Sequence, residues 1–165
     1  MSKVVVLHPS EGLRPGVEGW AARLRDSGHE VWLRAADAKL DELPADVVYV
    51  GFSTGTASAG YHAATRPGCR GTILIGGVAP LAERGVEAWP ETVPAQVHFS
   101  AEDRAVDRAG VESFEHALDA VRARLEIHVY PGSEHLLADP DSPGYDPAAA
   151  ELLLARVLEF LQRCG

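Results

Sequence analysis

The sequence has little of what marks proteins that bind nucleic acid or cross membranes. Only two of its 165 residues are lysine, Lys3 and Lys39, and the formal net charge is -9. This balance disfavours nucleic acid and anionic membranes as partners, because both attract clustered lysine and arginine. The apolar run at residues 4–7 is too short for a signal-peptide core or a membrane span. We therefore expect a small molecule as the partner of this protein.

Cysteine is also scarce, which excludes a disulfide scaffold. Cys69 lies in a Pro-Gly loop and Cys164 near the C-terminus, without the CxxC spacing of redox or zinc motifs. Together with the missing secretory signal, this pattern predicts a cytoplasmic location. The composition, 46% hydrophobic and 24% charged, is that of an average globular protein. The length fits one domain, so we predict a single domain over residues 1–165.

Short apolar segments alternate with amphipathic ones along the chain. The former predict strands and the latter helices, because apolar positions in helices recur every three or four residues. The alternation predicts a mostly parallel sheet of about six to seven strands with helices on both faces. Strands are predicted at residues 4–7, 31–33, 46–52, 71–75, 97–100 and 127–130, and helices at 17–27, 111–125 and 147–162, with one more expected after residue 55.

The connection between the second and third strands, residues 34–45, is unusually short. A parallel crossover needs roughly a dozen residues, so this one has room for about one or two helical turns. The sheet face beneath it needs apolar cover. Either Leu40 and Leu43 pack inward, or a second copy of the chain covers the same region in a two-fold homodimer. The short connection slightly favours the homodimer.

A serine motif follows the third strand. Gly51-Phe52-Ser53-Thr54-Gly55 reads G-x-S-x-G, between a strongly apolar strand and a segment of small residues. This strand-to-helix context is that of a nucleophile elbow, a tight turn that exposes a serine hydroxyl and needs glycine on both sides. The pattern predicts Ser53 as a nucleophile at the N-terminus of a helix, where negative charge is favoured.

A serine nucleophile needs a base, and the base needs an acid that orients it. A nucleophile elbow of this kind indicates the α/β-hydrolase fold, in which the acid and the base follow later strands in that order. Asp103 follows the strand at 97–100 and His135 follows the strand at 127–130, so we predict them as acid and base. Among their neighbours, Glu102 would point differently in the loop and Asp107 is expected to start the next helix.

Six other histidines compete for the role of base. Five of them lie in strand or helix bodies or just before a strand, away from the reactive rim of the sheet, and we expect them to be structural or solvated. His8 ends the first strand on that rim, where it lines the substrate pocket or has a structural role. The five are His29, His62, His98, His116 and His128.

The chain resembles the dienelactone hydrolase family over nearly its whole length. The resemblance is carried by residues 5–9 with Gly12, by the elbow at 51–55, by 97–103, by 130–132 with His135, and by 138–146. It implies Ser53 as nucleophile in place of the founding members' cysteine, with Asp103 as acid and His135 as base. It also implies an oxyanion hole from the backbone N–H groups of Thr54 and Ser10, and no metal or organic cofactor.

The chain also departs from the family pattern. Pro9 stands where the founding enzymes have a glutamate, and Asp139 stands in place of one of the arginines that grip a substrate carboxylate. A dienelactone is therefore not the expected substrate. We predict His8, Pro9 and Leu136 as substrate-binding residues.

Four apolar side chains are candidates for a pocket lining: Trp89, Phe99, Leu136 and Leu137, although ordinary core or rim packing is the more common role of such residues.

The function expected from the sequence is hydrolysis of an ester, lactone or thioester through a Ser-His-Asp triad and a covalent acyl-enzyme. Two alternatives remain open at this point. One is acid-base catalysis of a cyclisation or isomerisation by His135. The other is a binding or accessory protein, because folds of this kind host many functions.

Overall fold

A computed structural model describes residues 1–165 and contains one six-stranded sheet, parallel throughout, in the order β2-β1-β3-β4-β5-β6. This confirms the predicted α/β-hydrolase architecture. Because the strands are parallel, the loops after them all leave at one edge of the sheet, its carboxyl edge. The strands are β1 Lys3–His8, β2 Glu30–Ala35, β3 Val48–Phe52, β4 Gly71–Ile75, β5 Ala95–Ser100 and β6 Leu125–Tyr130.

Four helices and one short 3₁₀ helix cover the sheet. They are α1 Pro15–Asp26, α2 Gly55–Thr65, α3 Arg108–Ala120 and α4 Pro147–Cys164, with the 3₁₀ helix at Ala82–Arg84. Helices α1 and α4 pack on one face of the sheet, and α2 and α3 on the other. None of these helices has both the length and the apolar composition needed to cross a membrane.

The alternation of β1 between the two faces shows how the sequence builds both cores. Val4 and Val6 point towards α1 and α4, whereas Val5 and Leu7 point towards α2 and α3. All four side chains are fully buried. A strand buried on both faces has no polar side, which explains why this segment is a continuous apolar run.

Helix α3 is shorter than the sequence predicts, and it ends at Ala120 rather than at residue 125. The chain reverses immediately after it: Arg122 has a left-handed backbone with φ 58°, and the N–H of Ala123 donates to the carbonyl of Leu118. Leu125 already belongs to β6. The reversal is needed because α3 and β6 run in opposite directions, and apolar periodicity alone does not reveal it.

The short crossover forms turns and contains no helix, so the prediction of one or two helical turns there is wrong. Residues 36–47 must return from the carboxyl edge of β2 to the amino edge of β3. Twelve residues of helix rise only about 18 Å, which leaves nothing for the turns at either end. Leu40 and Leu43 nevertheless pack inward, with 3% and 8% exposure. The first of the two ways of covering the sheet is therefore present in the single chain, and the homodimer stays a prediction.

Candidate active site

Ser53 lies in a tight turn between β3 and α2, with a backbone conformation that serine rarely adopts. Its φ is 52°, in the left-handed region. Its N–H donates to the carbonyl of Ile75 at the end of β4, over 2.9 Å, which holds the turn against the neighbouring strand. Backbone strain of this kind costs about 1–3 kcal/mol per residue and persists only where the surrounding structure holds the residue in place.

The two glycines of the motif are required by close contacts around this turn. A β-carbon at Gly51 would lie 2.5 Å from the carbonyl oxygen of Gly55, and one at Gly55 would lie 2.2 Å from that of Leu7. Neither distance is possible without moving backbone. The second contact also shows that the end of β1 lies against the start of α2, so the loop after β1 begins beside Ser53.

The structure brings together the three residues predicted from the sequence. The hydroxyl oxygen of Ser53 is 2.9 Å from Nε2 of His135, and Nδ1 of His135 is 2.5 Å from Oδ2 of Asp103. A carboxylate only accepts hydrogen bonds, so Nδ1–H donates to Asp103 and the lone pair of Nε2 faces the serine hydroxyl. The Asp103 side chain is 4% exposed and that of His135 is 29% exposed. The acid is therefore shielded, whereas the imidazole remains accessible.

Both oxygens of the Asp103 carboxylate have a partner, which fixes its orientation. Oδ2 accepts from His135, and Oδ1 accepts from the backbone N–H of Ala105 over 2.9 Å. The neighbouring Glu102 is exposed, and Asp107 occupies the N-cap position of α3 as predicted.

His135 is positioned by its own loop and by the end of β4. Gly76 has φ +98°, a conformation that favours glycine, and a β-carbon there would lie 3.1 Å from Cε1 of the His135 ring, so a larger residue would press on the imidazole. The carbonyl of Glu134 accepts from the Ser100 hydroxyl over 2.5 Å. The Glu134 carboxylate accepts from the Ser142 hydroxyl and from the N–H of Gly144. These bonds, the one from Ser142 foremost, lower the pKa of Glu134 and keep it charged.

The two backbone N–H groups of the predicted oxyanion hole have no partner within the chain. Thr54 and Ser10 are exposed, belong to no strand or helix, and donate no hydrogen bond. Thr54 is the N-cap residue of α2. Free donors at a helix N-terminus favour negative charge nearby.

The three predicted substrate-binding residues are all half-buried at the carboxyl edge of the sheet: His8, Pro9 and Leu136. The His8 ring is engaged locally, because its Nδ1 lies 2.8 Å from the carbonyl oxygen of Pro9. Leu136 directly follows His135.

The candidate pocket residues Phe99 and Leu137 are core residues, with 2% and 5% exposure, and they belong to opposite faces of the sheet. Trp89 is also buried, but it lines a cavity between the β4–β5 connection and α3.

The remaining histidines lie apart from the triad, in the structural surroundings that the sequence suggests. His98 is the most buried, with Nε2 2.8 Å from Oε1 of Gln96 and Nδ1 2.8 Å from the hydroxyl of Tyr130. Burial, with lesser effects from His128 and Arg156, holds the pKa of His98 well below its usual value. No three His, Cys, Asp or Glu side chains are grouped as a metal site.

An ion pair between Arg14 and Asp139 went unpredicted. Asp139 is 3% exposed, and its Oδ1 also accepts from the N–H of Asp141 over 2.9 Å. The only signal in the sequence was negative: an acidic residue at a position where the resembling family has arginine.

Comparison with known proteins finds one matching family model and matching curated relatives. The family model described as "Dienelactone hydrolase family" matches residues 22–165. The protein named "Putative carboxymethylenebutenolidase" of Salmonella typhi is 34% identical over 67 residues, which is 41% of this chain and 25% of that protein. The matched segment thus spans a quarter of that relative's length.

Solved structures match over nearly the whole chain. A dienelactone hydrolase-like promiscuous phosphotriesterase from metagenomic libraries aligns with 99% of this chain and 87% of its own, with TM-score 0.80 and 15% identity. A carboxylesterase of Lactobacillus plantarum aligns with 98% of this chain and 86% of its own, with TM-score 0.71 and 17% identity. At these identities the likeness shows a shared fold.

Proposed function

The chain belongs to the dienelactone hydrolase family, and from this premise we propose that it hydrolyses an ester, lactone or thioester through a covalent acyl-enzyme on Ser53. One observation carries the proposal: the continuous hydrogen-bonded series Ser53 Oγ, His135 Nε2, His135 Nδ1 and Asp103 Oδ2. A serine hydroxyl within reach of an oriented imidazole is the arrangement that activates it as a nucleophile.

In the first half of the proposed reaction, the Ser53 oxygen attacks the substrate carbonyl carbon while its proton passes to Nε2 of His135. The negative charge that develops on the carbonyl oxygen is held by the N–H groups of Thr54 and Ser10. Collapse of the tetrahedral intermediate breaks the bond to the leaving oxygen or sulfur, which takes the proton from Nε2. An acyl ester on Ser53 remains.

The second half repeats these steps with water. His135 accepts a proton from the water as its oxygen attacks the acyl carbon, and then returns the proton to the Ser53 oxygen. The carboxylic acid is released and the serine is free again. Asp103 stays ionised throughout, since its role is to orient His135 and to stabilise the imidazolium.

The surroundings of the site argue against a substrate with a carboxylate. Asp139 stands where the resembling family has an arginine, and its charge is already paired with Arg14. The carboxylesterase and phosphotriesterase named above share the fold, and their names fit ester chemistry at such a site.

Hydrolysis of p-nitrophenyl acetate tests the proposal. Ser53→Ala should lower kcat/KM by about a thousandfold or more, because the triad acts as a unit. Ser27→Ala removes a serine at the C-terminal end of α1, far along the chain from the triad, and serves as the control with unchanged activity.

A fluorophosphonate probe supplies a second readout that does not depend on the ester chosen. Stoichiometric labelling of the wild type, abolished in Ser53→Ala and retained in Ser27→Ala, would support an activated nucleophile. Absence of both labelling and Ser53-dependent hydrolysis would instead favour a binding or non-hydrolytic protein.

A further inference from the structure

A cavity of about 380 Å³ lies between the β4–β5 connection and α3. Nine of its fourteen lining residues are hydrophobic, and Leu81, Trp89 and Phe114 are the largest of them. An apolar cavity of about 150 Å³ is enough to bind benzene. This cavity therefore has room for one aromatic ring or an alkyl chain of medium length.

The charges that line the cavity have one sign. Glu87 and Asp107 are the only ionisable groups in the lining, which contains no lysine, arginine or histidine. Asp107 is the N-cap residue of α3, yet its side chain makes no capping bond and leans over Gly110, where a β-carbon would lie 2.9 Å from Oδ2. The adjacent Arg108 is turned away, with its guanidinium 4.8 Å from the centre of the Phe99 ring. An anionic ligand would therefore be repelled, and a neutral or cationic one accepted.

The cavity lies close to the triad. Ala79, which lines it, is three residues after Gly76, where a β-carbon would lie 3.1 Å from the His135 ring. Three residues of extended chain span about 11 Å at most. On the other side, Asp107 is four residues after Asp103.

The direction of proton transfer decides which part of a substrate would reach the cavity. In the proposed reaction His135 gives its proton to the leaving oxygen, so the leaving group lies on the side of His135. The β4–β5 connection begins at that ring and leads to the cavity.

We propose, on the basis of the proposed hydrolase function, that this cavity binds the leaving group of the substrate. The substrate class is then an ester of an apolar alcohol that is uncharged or cationic, with an aromatic ring or a medium-length alkyl chain. Glu87 and Asp107 select against alcohols that carry an anionic group.

A series of acetates with a common acyl group tests this assignment. We expect kcat/KM for benzyl acetate to exceed that for methyl acetate by about tenfold or more, the usual effect of filling an apolar pocket. 4-(Aminomethyl)benzyl acetate should be hydrolysed at least as well as benzyl acetate, and 4-carboxybenzyl acetate about tenfold less well. The charged groups of the two substituted benzyl acetates are remote from the leaving oxygen, so the intrinsic reactivities of these esters are close to that of benzyl acetate. Equal rates for all four esters would overturn the assignment.

Ser113→Leu fills the cavity from the exposed side of α3. It should abolish the advantage of benzyl acetate over methyl acetate. Ala117→Leu is a second filling variant in case the first folds poorly. His116→Leu adds the same side chain to the same helix at a position that does not line the cavity, and it should keep the advantage.

Direct binding separates failure of this inference from failure of the proposed function. Benzyl alcohol should shift the NMR signal of the Trp89 indole N–H, which donates to the carbonyl of Val93. The shift should disappear in Ser113→Leu and persist in His116→Leu and in Ser53→Ala. If benzyl alcohol leaves this signal unchanged in the wild type, the inference is overturned, even where Ser53-dependent hydrolysis of p-nitrophenyl acetate stands.

Discussion

Arg14, in the loop after β1, forms an ion pair with Asp139, in the loop after β6. The first loop contains the proposed oxyanion donor Ser10, and the second contains His135. A β-carbon at Gly16, in the first turn of α1, would lie 1.9 Å from Oδ1 of Asp139, so the carboxylate rests directly against the N-terminus of that helix. The two halves of the proposed catalytic machinery are therefore tied together by one buried carboxylate.

Removing Arg14 should destabilise the fold because it leaves the buried Asp139 carboxylate without its countercharge. We expect Arg14→Ala to lower the free energy of unfolding by about 1–3 kcal/mol, less than for a fully buried pair because Arg14 is half exposed. Arg23→Ala breaks the ion pair with Glu151, in which both side chains are exposed. This change should lower the free energy of unfolding by less than about 1 kcal/mol. Urea unfolding measures both, and equal losses would contradict the prediction.

The elbow glycines should not tolerate even one added carbon. Gly55→Ala places a β-carbon against the carbonyl of Leu7, so both stability and activity should fall, the former by more than about 2 kcal/mol. Gly19→Ala is the matched control, because its β-carbon would meet nothing within 4 Å. Because Gly19 lies within helix α1, Gly19→Ala should raise the free energy of unfolding by about 0.5–1 kcal/mol. Thermal unfolding of the two variants distinguishes a steric requirement from a general effect of alanine.

Asp103→Asn tests the acid without changing the size of the side chain. The amide cannot hold the His135 tautomer and imidazolium as a carboxylate does, so kcat should fall by about a thousandfold or more. Glu102→Gln changes the same charge one residue earlier, at an exposed position, and should leave kcat unchanged. A comparable loss in Glu102→Gln would mean that the wrong carboxylate has been assigned.

Stability should fall in mild acid because His98 is held neutral by burial. Its folded-state pKa lies well below its usual value, whereas in the unfolded chain it is protonated below pH of about 6.5. The stabilisation is therefore fully present above about pH 6.5 and lost as the pH falls below it, by up to about 1.4 kcal/mol per pH unit for one such proton. The pKa values of His29, His62 and His128 are lowered as well and act in the same direction.

Urea unfolding between pH 8 and pH 5 measures this slope. His98→Gln replaces the imidazole with a group that cannot be protonated in this range. The free energy of unfolding should therefore depend less steeply on pH, by an amount that corresponds to at most one proton. A variant that is less stable at pH 8 but keeps the wild-type slope would show that His98 is not the titrating group.

The two cysteines should be nearly inert while the protein is folded. Burial raises the pKa of Cys69 to about 12 and that of Cys164 to about 11. Only the thiolate reacts, so at pH 8 a disulfide reagent should modify both at least about a hundredfold more slowly than in denaturant. Cys69→Ala and Cys164→Ala assign the two phases of the reaction. Rapid labelling of either thiol under native conditions would contradict the buried positions.

The elbow and the positions of the strands along the chain could be predicted because their signals are local. Gly51, Ser53 and Gly55 lie within five residues, and the apolar run before them is long enough to identify β3. The positions of Asp103 and His135 follow from chain order once the sheet is assumed parallel, since loops after parallel strands meet at one edge.

What could not be predicted depends on contacts between distant segments. Arg14 and Asp139 are 125 residues apart in sequence, and nothing local to either one indicates a partner. The place of Gly76 against His135 likewise appears only once β4 and the loop after β6 are assembled. The cavity is a further case, because its walls come from a connection without helical periodicity and from one side of α3.

The hydrogen bond from Ser53 N–H to Ile75 ties enzymatic competence to assembly of the sheet. The left-handed turn at Ser53 needs this bond to β4 as well as the glycines around it, so we expect that a fragment ending before β4 would not hold the turn. During refolding, activity should consequently return with the last cooperative step rather than with the first appearance of helix. Catalysis would then be a stricter probe of the native state than circular dichroism.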